Sequence, residues 1–349
     1  MGLIDSALES NINNLDESEM FRAKIAVCGL GGCGSNTVQR LSRIGVKGAN
    51  LIAVNTDSKH INTLDTSIRK MLIGGPLTNG FGAGGFPEMG SKAAEFSKTD
   101  LQRELSDYNL VFITAGMGGG TGTGAAPIAA QIAKENGAIV IGIVTFPFRL
   151  EGVRIQTAAK GLEALGKNVD TLIVVDNQRL VEMYPNLSIE QAFRLADEVA
   201  ARAVRGITET VNVPSFINLD FADVRNVMRG GGLAMISIGE GAGENKVDEA
   251  IKDVLKNKLL EVDYHEANSI LIHITGGEDL TLGEANEIGS KLTDMTSPKA
   301  NVVWGARVDP AYNGKLEIIA IFAGVKGPSI FGATEEKPEN TGYYGLEPV

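Results

Sequence analysis

From Lys24 onward the chain alternates short apolar runs with glycine turns and segments of helical period. Lys24-Ile25-Ala26-Val27-Cys28 reads as a buried strand, and Leu51–Val54, Leu110–Ile113, Ala138–Val144 and Leu172–Val175 repeat that pattern. Ser35–Ile44 carries Val38, Leu41 and Ile44 at helical spacing, and a second helix is predicted over Ala125–Glu135. Strands alternating with helices predict an α/β fold built on a doubly wound, Rossmann-like parallel sheet. Such sheets bind ligands at the carboxyl ends of their strands. A long central helix follows over Ser188–Thr208, opened by a Ser188-x-x-Gln191 capping box. Beyond it, strands at Ala234–Ile238, Ser269–Ile274, Asn301–Ala306 and Leu316–Phe322 mix with helices near Lys246–Leu260 and Gly283–Leu292. This predicts a smaller mixed α+β domain over 209–325, after a first domain over 22–187. Residues 1–21 read as a polar, acidic arm with Leu3, Ile4, Leu8 and Ile12 at helical spacing, and 326–349 as a flexible polar tail.

Composition narrows the function classes. The net charge is −11 at pH 7 with no basic run, so nucleic acid is not an expected partner. Two cysteines, Cys28 and Cys33, and three scattered histidines build neither a disulfide framework nor a zinc site, so no protein-held metal is expected. No apolar run reaches the ~18 residues of a membrane span, and the acidic N-terminus lacks a signal peptide's basic start. Direct membrane insertion is therefore not expected, and the cytoplasm is the expected compartment. Glycine is the outlier: 43 of 349 residues, about 12 % against a usual ~7 %.

The glycines concentrate in loops that follow strands. Gly29-Leu30-Gly31-Gly32-Cys33-Gly34 fits G-x-G-x-x-G between a strand and a helix, where bare backbone N–H groups approach phosphate. Alone it also fits a nicotinamide-dependent oxidoreductase, with Asp57 as the ribose acid, or a tight structural turn. Gly118-Gly119-Gly120-Thr121-Gly122-Thr123-Gly124 is the second such loop. So many glycines clamped between buried elements cost folding entropy that a linker would not require. Two phosphate-type loops on neighbouring strands point to a triphosphate. No G-x-x-x-x-G-K-[ST] lysine is present, so amide dipoles and Mg2+ carried by the nucleotide would offset its charge. Gly80–Gly90 is a third glycine stretch, readable as a terminal-phosphate contact or a surface loop.

Across these segments the chain resembles the tubulin/FtsZ superfamily, and within it the FtsZ family. The resemblance rests on GGGTGTG at Gly118–Gly124, Asn55-Thr56-Asp57, the loop Gly82–Gly90, Thr145-Phe146-Pro147-Phe148 and Asn218–Arg225, and covers about residues 22–325. It implies GTP/GDP as ligand and GTP hydrolysis as activity. Gly32, Cys33, Gly34, Ser35 and Asn36 would hold phosphates, with Gly118, Gly119, Gly120, Thr121, Gly122, Thr123 and Gly124 continuing the cradle. Glu151 would contact ribose. The family's arginine four residues on falls at Ile155, with Arg154 one place earlier. Asn177 and Asp197 would select guanine and Phe193 would pack on the base. Otherwise Asp197 reads as a solvated helix face and Phe193 as core.

Asp220 and Asp223 lie three apart where a helix begins, so both share one face. They read either as an N-cap with a first-turn acid or, by the resemblance, as catalytic groups with Asn218. In the latter reading residues 209–325 are a GTPase-activating domain that completes the neighbour's site. That contact is heterologous and repeats into a head-to-tail homopolymer. The resemblance further implies a cytokinetic ring at mid-cell, and tail contacts to division proteins or membrane tethers. A paralogue for cell shape or DNA segregation, and a scaffold without turnover, are the alternatives.

Overall fold

The computed structural model describes residues 23–212, 220–256, 259–260 and 262–326. The arm, Asn218 and the tail from residue 327 lie outside them. The apolar runs form β1 (Ile25–Leu30), β2 (Ala49–Asn55), β4 (Leu110–Gly116), β5 (Ile139–Phe146) and β6 (Thr171–Asp176). The second half supplies β7 (Gly232–Ala242), β8 (Ser269–Gly276), β9 (Asn301–Val308) and β10 (Lys315–Ala323). One strand was not foreseen: β3 (Arg69–Leu72), whose Arg-Lys-Met-Leu sequence lacks an apolar run. It sits at the sheet edge, where only one neighbour requires pairing.

The ten strands among the described residues join one sheet in the order β3-β2-β1-β4-β5-β6-β7-β10-β8-β9. Neighbours are parallel from β3 through β7, and β10 runs antiparallel to both β7 and β8. The two halves are continuous because β6 pairs with β7 from Thr171↔Gly232 to Ile173↔Ala234.

The helices that position the site are α1 (Gly31–Ile44), α2 (Ser58–Asn62), α3 (Pro87–Phe96), α4 (Thr121–Glu135), α5 (Val153–Gly166) and α6 (Asn177–Met183). They continue with α7 (Ile189–Asn212), α8 (Phe221–Met228), α9 (Lys246–Lys256) and α10 (Leu282–Thr293). Helices α3, α4, α5, α9 and α10 bury their apolar stripes in a core on one face of the sheet. Helices α1, α7 and α8 do so on the other.

Helix α7 ties the halves together. Glu317 of β10 is 2 % exposed and accepts from Arg205 at 3.1 Å, with Arg202 at 3.2 Å. Arg307 of β9 binds Glu209 of the same helix. Removing Glu317 would take a buried acceptor from both guanidinium groups, while Arg202 keeps Glu198 and Glu240 and Arg205 keeps Glu209. Glu317→Ala is therefore expected to cost about 1–3 kcal/mol, read as a lowered denaturant midpoint.

Candidate functional site

A cavity of about 530 Å³ opens at the carboxyl ends of β1, β2, β4 and β5, within the ~300–1,000 Å³ range of small-molecule pockets. Gly32 and Cys33 line it from the start of α1, and Gly119, Gly120, Thr121 and Gly122 from the start of α4. Neither helix has a side-chain cap or an acid in its first turn. Their leading N–H groups and positive dipole ends are thus available to an anion. Gly34, Ser35, Asn36, Gly118, Thr123 and Gly124 lie outside the lining and shape it from behind. A Cβ on Gly34 would stand 2.3 Å from the Thr114 carbonyl oxygen, and one on Gly124 2.0 Å from that of Pro87. Gly118 donates its N–H to Thr123 Oγ1 at 2.9 Å, closing the loop on itself. Ser35 is fully buried, and Asn36 is exposed and bonded to His60.

The third glycine stretch joins the wall through Phe81, Gly82, Gly84 and Gly85. Glu151 and Arg154 line the opposite side as an ion pair at 2.9 Å. The register of α5 turns Ile155 into the core while Arg154 faces the cavity. Arg154 is therefore the residue able to make the contact that the one-place offset left open.

Asn177, Phe193 and Asp197 form the other end. Asn177 is 4 % exposed and its Oδ1 has no partner among the described residues. Such an orphaned acceptor calls for a ligand donor. Burial pushes the Asp197 carboxyl up to about 7, against the opposing pull of the Cys33 bond at 3.8 Å and of Arg40. Burial, and next the charge of Asp197, pushes the Cys33 thiol up to about 12. Phe193 stands edge-on to Phe148 with ring centroids 5.0 Å apart, which fixes its ring beside the cavity. Two acceptors beside an aromatic ring suit a purine edge that offers two donors, as guanine does.

A pH dependence follows. Only the ionised form of Asp197 could accept both donors of a guanine edge, and a raised value means protonation as pH falls through about 7. GDP affinity is therefore expected to rise about tenfold between pH 6 and 8. Asp197→Asn should flatten that rise in an equilibrium titration.

Asp220 and Asp223 are elsewhere. Helix α7 passes the cavity at Phe193 and Asp197 and ends at Asn212, about 22 Å further at 1.5 Å per residue. There Asn212 donates to the Ala23 and Gly48 carbonyls, before β1 and β2, at 2.9 and 2.8 Å. Helix α8 lies on that same edge, its Met228 carbonyl bonded by Thr171 at the first residue of β6. Asp220 holds the N-cap position of α8 but makes no side-chain cap bond. Asp220 is exposed and Asp223 half-exposed. No ion pair engages either among the described residues.

A model of the Tubulin/FtsZ family, GTPase domain, matches residues 24–185, and one of the FtsZ family, C-terminal domain, matches 232–326. Cell division protein FtsZ 2 of Methanocaldococcus jannaschii is 50 % identical over 97 % of this chain and 90 % of its own length. The chain belongs to the FtsZ family. Cell division protein FtsZ 2 of Haloferax volcanii is 45 % identical over 95 % of this chain and 84 % of its own length. A solved FtsZ dimer from M. jannaschii, described as empty, superposes with a TM-score of 0.86 at 42 % identity, covering 93 % of each chain. The GTPase domain of this family binds GTP and GDP and hydrolyses GTP, so the nicotinamide reading is set aside.

Asn55, Asp57, His60, Phe81 and Thr145 also line the cavity. Asn55 and Thr145 figure in the resemblance without assigned roles, Asp57 reads in the sequence only as the ribose acid of the nicotinamide alternative, and Gly80–Gly90 as a terminal-phosphate contact or a surface loop. His60 had one usable signal: it sits three residues after Asp57, whose side chain caps α2 by accepting the His60 N–H at 3.1 Å.

Proposed function

We propose that this chain is a division GTPase that polymerises head to tail, and that its hydrolysis is assembled between subunits. One observation carries the reading. The glycine-lined cavity and the uncommitted acids Asp220 and Asp223 occupy opposite edges of one sheet, joined by the rigid α7. A catalytic acid that far from its own cavity can only serve the cavity of another copy. Stacking subunits edge to edge is heterologous, and it repeats into an open filament.

In this reading the α1 and α4 N-termini hold phosphate, Glu151 and Arg154 flank the ribose, and Asn177 and Asp197 read guanine while Phe193 packs on it. The acids of the next subunit, with Asn218 beside them, orient the attacking water. Mg2+ carried by the nucleotide would supply positive charge that offsets the charge building on the γ-phosphate. Among the described residues no cluster of His, Cys, Asp and Glu is arranged to hold a metal, so phosphate oxygens would carry most of its coordination. No helix among the described residues is long and apolar enough to cross a membrane. Assembly at mid-cell through tail-bound tethers is part of the proposal.

Sedimentation with GTP, GDP or no nucleotide tests polymerisation: GTP alone should drive the chain into the pellet. Equal pelleting in all three would count against the reading.

A further inference from the structure

His60 is bound in a way that its neighbours dictate. Asn55 Oδ1 accepts the N–H groups of Thr56 at 2.9 Å and Asp57 at 3.4 Å. Its amide orientation is thereby fixed, and Asn55 Nδ2 donates to His60 Nδ1 at 3.3 Å. Nδ1 is then an acceptor, the proton sits on Nε2, and Nε2–H donates to Asn36 Oδ1 at 3.2 Å. A second proton on His60 would set two donors against each other. Asn55 cannot turn over without losing both backbone bonds. The ring would have to leave Asn55 and find another acceptor, and it already lines the cavity.

The charges around it favour that exchange when phosphate arrives. Among the lining residues only Arg154 and His60 can carry positive charge, and Arg154 is paired with Glu151. On the packed elements, Arg40 and Arg43 of α1 pair with Glu198 and Asp65. Arg69 of β3 pairs with Glu104, and Lys70 donates to the Leu64 carbonyl. Asp57 and exposed Lys59 flank His60 on its own short helix. Across the cavity stands Asp197, at the base end. His60 lies at the other end, with Asp57, Phe81 and Gly82, where the far phosphate of a nucleotide seated on Asn177 and Asp197 would reach.

We infer that His60 reads the terminal phosphate of GTP, exchanging its Asn55 bond for a protonated N–H···phosphate contact and taking one proton from solvent. The inference rests on the GTP site described above. Imidazole is the side chain that changes charge between about pH 5 and 8, so GTP recognition gains a proton-linked component that GDP lacks.

The test is calorimetric titration of the full chain, below assembly concentrations, with GDP and with a non-hydrolysable GTP analogue. Two buffers of different ionisation enthalpy count the protons. Any proton release at Asp197 is common to both nucleotides and cancels in the difference. Wild type should take up more protons with the triphosphate. His60→Gln should abolish that excess and lower the triphosphate-to-diphosphate affinity ratio about tenfold or more. Equal uptake for both nucleotides in wild type overturns the inference whatever the variant does, and an unchanged excess in His60→Gln overturns it equally. Failure of wild type to bind either nucleotide would instead refute the GTP site itself.

Discussion

Asp223→Ala is expected to bind GTP as wild type does and to hydrolyse it at least about a hundredfold more slowly, the loss typical of a missing acid–base group. Asp223 is half-exposed and lies on the edge where α8 starts. Its removal breaks no described ion pair and opens no core cavity, so stability should stay within about 0.5 kcal/mol. A fall in melting temperature with intact hydrolysis would return Asp223 to a first-turn acid of α8. Mixing gives a sharper form of the test. Asp223→Ala supplies an intact cavity and a loop variant of Gly122 supplies intact acids, so co-assembled filaments should recover part of the activity neither has alone. No recovery in filaments shown to contain both would remove the shared site.

Gly124→Ala should have the opposite signature, with nucleotide binding lost first. The added methyl would meet the Pro87 carbonyl at 2.0 Å and the Ser91 nitrogen at 2.6 Å. Backbone, not a flexible side chain, must therefore move. The moving part is the first turn of α4, whose N–H groups line the cavity at Thr121 and Gly122. A displacement near 1 Å in such a site costs about a hundredfold, so equilibrium titration should show at least that loss of GTP affinity. Gly289→Ala is the control. Gly289 sits inside α10 with open space around its added Cβ. That change should stabilise the fold by roughly 0.5–1 kcal/mol and leave GTP binding as it was. Equal affinity for Gly124→Ala and wild type would show that the close α3–α4 approach does not shape the site.

The sequence exposed strands better than helix starts. Each apolar run became a strand, because a parallel sheet covered on both faces demands continuous burial. Helices α1 and α4 begin earlier than their periodicity suggested, at Gly31 and Thr121. Their glycines look like loop by propensity, yet the helix can approach Thr114 and Pro87 only because Gly34 and Gly124 have no side chain. Helix α5 was missed because its apolar stripe follows a glycine and is interrupted by Gln156, Thr157 and Lys160. At the site, the glycine loops that line the cavity were legible as motifs, since close backbone approach dictates glycine. The cavity's other end was not. Asn177, Phe193 and Asp197 come from different elements, and only packing brings them into one wall. Family resemblance supplied them where spacing alone had none to offer. His60 offered only its spacing from Asp57, because its meaning lies in Asn36 and Asn55, which are distant in sequence or bonded through a fixed amide.

The central claim is that one copy's Asp220 and Asp223 finish another copy's cavity. Phosphate release per molecule, measured across a wide dilution series at saturating GTP, tests it most directly. The specific rate should be close to zero in dilute protein and climb steeply once filaments form. A specific rate that stays constant down to concentrations where every molecule is alone would contradict it.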